Sequence, residues 1–106
     1  MNRWNIPEEM EIEIIKRDKN CVYCRVELKE KIQKGQSRKN QATWEHIIND
    51  ETIITYENIS RCCASCNSSK GTKKLSVWIN SPYCKNKNIN INTVASVIKE
   101  ALEKGL

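Results

Sequence analysis

The chain has 106 residues, 39% of them hydrophobic, with three Trp and no Phe, so one domain with a thin core is expected. Its formal net charge of +5 is uneven: residues 8–13 hold four glutamates, whereas residues 14–87 hold fifteen Lys and Arg against seven Asp and Glu. No apolar run approaches a membrane span and Met1 to Glu9 has no signal-peptide pattern, so a cytoplasmic protein with reduced cysteines is expected. The basic excess fits a polyanionic partner.

In chain order, Pro7 followed by Glu8 and Glu9 opens a helix, since proline suits the first helical position and acids suit the positive dipole end. Met10, Ile14 and Ile15 form its expected apolar face, with Ile12 to one side, and Asp18, Lys19 and Asn20 end it. Residues 25–41 read as a polar, basic loop with a short helical turn around residues 28–32. The β-branched and aromatic content of residues 42–48 predicts a strand, and residues 59–62 a second short one. A helix is expected over residues 64–70, and a separate one over 75–79 that Asn80, Ser81 and Pro82 end. Residues 85–92 read as an Asn/Lys linker. Val94, Val97, Ile98, Ala101 and Leu102 recur at helical spacing, which predicts a last helix over about 92–104, capped by Asn92 or Thr93 and followed by Gly105.

Six cysteines are available to staple so small a core. Cys21 and Cys24, and Cys63 and Cys66, form two CxxC knuckles of equal spacing, each of which lets two sulfurs converge on one ion. Disulfides are the alternative framework, and the absent signal peptide argues against them. Cys62 with Cys66 is a weaker alternative pair, and Cys63 is preferred because it repeats the first knuckle. Cys62 and Cys84 are expected as small buried hydrophobes or spare thiols. Four thiolates leave no position for water, so the zinc predicted here is structural. The basic loop with Lys29, Lys31, Lys34, Arg38 and Lys39, together with Lys70, Lys73 and Lys74, is the expected contact surface for a nucleic-acid backbone.

His46 is the only histidine. It stands in Glu45-His46-Ile47-Ile48, ahead of Glu57-Asn58-Ile59 and of the run from Cys63-Ala64-Ser65-Cys66 through Asn67-Ser68-Ser69-Lys70-Gly71. This pattern resembles the HNH endonuclease motif, and Arg17-Asp18 leading into Cys21 resembles its zinc-knuckle branch; the likeness covers about residues 10–80. The resemblance implies a ββα-metal finger, two antiparallel strands and a helix around a divalent ion, within an α+β domain with flanking helices. It implies His46 as the general base, Asn58 as the residue holding the loop by backbone hydrogen bonds, and Asn67 and Glu45 as ligands of a catalytic Mg²⁺ or Mn²⁺.

Elementary chemistry supports those roles. A neutral imidazole accepts a proton near pH 7, and a carboxylate with an amide oxygen suits a hard divalent ion that clamps the scissile phosphate. Neighbours on a regular strand point to opposite faces, so Glu45 and His46 share a site only if the strand ends or bulges there, and such an irregularity is expected. The function expected is a metal-dependent DNA endonuclease, nicking as a monomer or cutting both strands as a homodimer. The rival is a catalytically inactive, zinc-stapled nucleic-acid-binding module. A zinc-based protein adaptor leaves the basic excess unexplained.

Overall fold

The computed structural model describes residues 4–106. Helix α1 covers Glu8–Arg17, with Glu8, Glu9 and Glu11 in its first turn and Lys16 and Arg17 in its last, both favourable to the helix dipole. Ile14 is fully buried against Ile6 and Ile59, with Met10 packed beside it. Ile15, expected on the same face, is instead 38% exposed. Successive helical residues turn by roughly 100°, so a stripe narrow enough to carry Met10 and Ile14 leaves Ile15 outside.

The Arg17 guanidinium bolts the end of α1 to the backbone of Tyr56 and Ile59. It donates two bonds of 2.8 Å to the Asp18 carboxylate, one of 2.7 Å to the Tyr56 carbonyl and one of 2.9 Å to the Ile59 carbonyl. Asp18 in turn accepts from the Arg61 backbone N–H at 3.2 Å.

The turn expected around residues 28–32 is not helical. That stretch is drawn into isolated bridges, Asn20 with Glu27 and Lys29 with Gln41. Glu30 there forms a forked ion pair with Arg61, whose guanidinium also lies 4.9 Å from the centre of the Trp44 ring.

Strands β1 (Ala42–His46) and β2 (Ile59–Cys63) pair antiparallel. The register runs without interruption from Ala42 opposite Cys63 to His46 opposite Ile59. Thr43 and Glu45 therefore share one face with Cys62 and Ser60, and Trp44 and His46 share the other with Arg61 and Ile59. The strand stops two residues earlier than expected because a side chain replaces the ladder. Ile47 N–H still reaches the Asn58 carbonyl at 2.9 Å, but Ile48 N–H bonds to Asn58 Oδ1 at 2.6 Å.

Helix α2 (Ala64–Lys70) starts directly from β2, with Cys63 as its N-cap, and packs against both strands. Gly71, at φ +52°, ends it in a left-handed conformation that favours glycine. Helices α3 (Leu75–Trp78), α4 (Pro82–Asn86) and α5 (Ser96–Glu103) complete the chain. Helix α4 lies where a stop and a linker were expected: Ser81 caps it by accepting from Cys84 N–H at 3.3 Å, and Pro82 takes the first position. Helix α5 begins later than 92 because Thr93 is engaged in a turn, its hydroxyl bonded to the Asn88 carbonyl and to Asn90 N–H. Ile98 and Ala101 of α5 are buried, with Val94, Val97 and Leu102 packed alongside, and Gly105 at φ +81° closes the element.

The fold is thus a small α+β arrangement with two apolar clusters. The larger gathers the cysteines, Tyr23, Leu75, Trp78 and α5; the smaller gathers Ile6, Ile14 and Ile59 under α1. Among the described residues, no helix is long and apolar enough to cross a membrane.

Candidate functional site

Cys21, Cys24, Cys63 and Cys66 place their sulfurs within 4.8 Å of one another. Cys24 Sγ and Cys63 Sγ stand 3.7 Å apart although the residues are 39 positions apart in sequence. Each knuckle turns its backbone N–H groups toward sulfur. Tyr23 N–H and Cys24 N–H point at Cys21 Sγ at 3.4 and 3.5 Å, and Cys66 N–H points at Cys63 Sγ at 3.4 Å. Such contacts favour thiolates. Tyr83, which sequence reasoning did not single out, adds a hydroxyl at 3.3 Å from Cys66 Sγ and is itself held by Ser65 at 2.8 Å. Four convergent thiolates fit a structural zinc and leave no open coordination position. Cys62 and Cys84 are buried outside this cluster, and burial pushes both thiols up.

The polar residues divide between the two faces of the hairpin. Glu45 lies on the α2 side, 5% exposed, and takes the Tyr23 hydroxyl and the Lys70 ammonium on Oε2, the latter at 3.3 Å. Burial raises its carboxyl above the ordinary range, and the Lys70 charge and Tyr23 bond oppose that rise. Lys70 is 1% exposed and donates to the Ile47 carbonyl at 3.2 Å.

Two expectations are corrected by this geometry. Lys70 is a buried counter-ion and not a contact for a nucleic-acid backbone. The bulge expected at Glu45 and His46 is absent, so the even ladder carries Glu45 away from the imidazole and into an ion pair. A helix lysine one turn beyond Asn67 reaches back over β1, and a carboxylate in so dry a place holds the nearest cation.

His46, at the end of β1, faces the opposite way. Its ring meets the Trp4 indole edge-on, centroids 5.0 Å apart at 66°. Its Nε2 is buried and has no hydrogen-bond partner. Burial lowers its pKa, against the smaller opposing pull of Glu51 and Asp50, so the neutral imidazole is favoured.

Asn58 is 3% exposed and grips the loop after β1 by three backbone bonds. Oδ1 accepts from Ile48 N–H at 2.6 Å, and Nδ2 donates to the Ile53 and Ile48 carbonyls at 3.0 and 3.3 Å. Asn67, in the first half of α2, donates from Nδ2 to Thr43 Oγ1 at 2.9 Å and to the Trp44 carbonyl at 3.3 Å. Its amide nitrogen is thus committed to β1.

These residues do not fit a second, divalent ion as they stand. Glu45 is neutralised by Lys70 and separated by the strand from His46, and Asn67 alone offers one oxygen. Among the described residues, the four cysteines are the group of His, Cys, Asp and Glu side chains placed to hold a metal. Arg38, Lys39, Lys73 and Lys74 are exposed. Sequence reasoning also missed Tyr23, for which its place inside the first knuckle was the available signal. Thr43 and Trp4 carry no motif, and only the folded register shows their contacts. No protein-family model, no curated protein and no solved structure matches this chain.

Proposed function

We propose that the chain is a zinc-stapled DNA endonuclease of the HNH type, in which His46 removes the proton from the water that attacks a phosphodiester. The single observation that carries the reading is the Asn58 clamp. Its three backbone bonds fix the loop that leaves β1 directly behind His46. That is the role the resemblance assigns to the middle residue of the motif. The consecutive order β1, loop, β2, cysteine knuckle, α2 agrees with a ββα finger.

A neutral imidazole is the form a general base requires, and burial favours it at His46. Exposed Arg38, Lys39, Lys73 and Lys74 supply cations for a phosphate backbone, a contact that is salt-sensitive and nearly blind to sequence. Glu45 has no part in the reaction, because its ion pair with Lys70 occupies the carboxylate.

That same ion pair favours a second reading, a zinc-stapled nucleic-acid-binding module without catalysis. Plasmid nicking in Mg²⁺ or Mn²⁺ separates the two, comparing the wild type with His46→Ala at equal zinc content. The endonuclease reading expects a loss of about 100-fold or more, the usual contribution of a general base. Equal nicking by both proteins removes His46 from the chemistry. Salt-sensitive DNA binding with no nicking by either favours the binding module.

A further inference from the structure

We propose that Trp4 is a gate on His46: residues 4–7 form a strap whose indole covers the Nε2 edge of the half-buried imidazole, and the site works only when that indole swings aside. The inference deepens the reading of His46 as the reactive base and rests on it for its functional meaning.

Three observations carry it. The indole is in edge contact with the imidazole, centroids 5.0 Å apart. The ring is half-buried, but its Nε2 is fully covered and has no hydrogen-bond partner, so that nitrogen cannot exchange a proton with water as it stands. A buried polar atom left unsatisfied is also an unfavourable arrangement, so the closed state is one from which opening gains hydration.

The strap is built to hinge. Ile6 is fully buried with Ile14 and Ile59 and anchors it to α1 and β2. Asn5, between anchor and indole, takes a left-handed φ of +58°, a conformation that Asn tolerates better than most residues. A cleft of about 170 Å³ lined by Trp4 itself with Asn5, Glu51, Thr52 and Ile54 lies beside the indole and gives the ring somewhere to go. Among the described residues, the charged groups that act on His46 are Glu51 and Asp50 on the loop after β1 and Lys70 from α2.

Because His46 is the only histidine, carbethoxylation by diethylpyrocarbonate, read from the ultraviolet absorbance of the modified imidazole, reports its accessibility alone. Trp4→Ala should react faster by about tenfold or more, as expected if the open state is a minority of roughly 10% or less. Trp4→Phe, which keeps a ring, should stay near the wild-type rate. Trp4→Leu keeps an apolar group on the Ile6 cluster without a ring, and replaces the alanine variant if that one loses zinc. Equal carbethoxylation of wild type and the ring-less variants overturns the gate. Plasmid nicking should rise in the same variants. If carbethoxylation accelerates while no protein nicks, the gate stands and the endonuclease reading falls. If the wild type nicks and the ring-less variants nick no faster, the gate has no role in the reaction and the proposal fails.

Discussion

At one end of the hairpin four sulfurs from two distant knuckles lie within 4.8 Å of one another; at the other, two adjacent residues of one strand leave it in opposite directions. The cysteine end is assembled and the histidine end is divided. The difference lies in local geometry. A two-residue spacer in a turn brings its flanking side chains together whatever the rest of the chain does. Adjacency in a strand separates side chains unless the ladder is broken, and this ladder is unbroken. Glu45 then faces α2, where the nearest cation is Lys70, and His46 faces the N-terminal strap.

Denying the four cysteines an ion should have the largest effect. Structural zinc contributes apparent energies of ~10–16 kcal/mol in small peptides, against a total stability of roughly 5–15 kcal/mol for a domain. Chelation, or Cys66→Ser, should therefore abolish the cooperative melt seen by circular dichroism. A sharp melt in a zinc-free sample would mean that the apolar clusters suffice.

A smaller effect should come from splitting the Glu45 and Lys70 pair. Lys70→Met leaves a buried carboxylate without its counter-ion, and breaking such pairs typically costs about 3–5 kcal/mol. Chemical denaturation of Lys70→Met beside the double variant Glu45→Leu with Lys70→Met sharpens the point. The double variant should be closer to wild type than the single. A single variant as stable as wild type would show that Glu45 has another partner or reaches water.

The smallest effect concerns pH. Because burial lowers the His46 pKa in the folded state, the unfolded chain binds more protons below its ordinary value of 6.5. His46 thus contributes stability that is complete above that value and is lost as pH falls from it toward the depressed folded pKa. His46→Asn should flatten this part of the stability profile relative to wild type, measured by denaturant unfolding at fixed zinc. Parallel profiles would mean that the imidazole is as hydrated folded as unfolded.

The cysteine cluster was legible in the sequence because its information is local, and α2 matched its expected range for a similar reason: Cys63 both ends β2 and caps the helix. Strand β1 was legible from its β-branched and aromatic content, whereas β2 has little of either and was expected only as a short second strand. Helix α4 was missed although its signal was in view. Ser81-Pro82 is a cap followed by a favoured first position, and reading Pro82 only as a stop hid it. The start of α5 was placed too early because Thr93 can cap a helix or brace a turn, and the choice depends on Asn88 and Asn90 nearby. The site was least legible where partners lie far apart in sequence. That Lys70 meets Glu45, that Trp4 meets His46 and that Asn67 meets Thr43 all depend on which face of one strand each residue occupies. A single register sets all three.

The cysteine cluster has a topological consequence. Bound to one ion, Cys24 and Cys63 close a ring that contains the exposed basic loop, β1, His46 and Asn58. A protease that cuts within residues 31–39 would leave two peptides still joined through the metal, and the fragments would part only when the ion is stripped. Cys66 follows both strands in the chain, so an ion would gain its fourth sulfur only after the whole hairpin had been made.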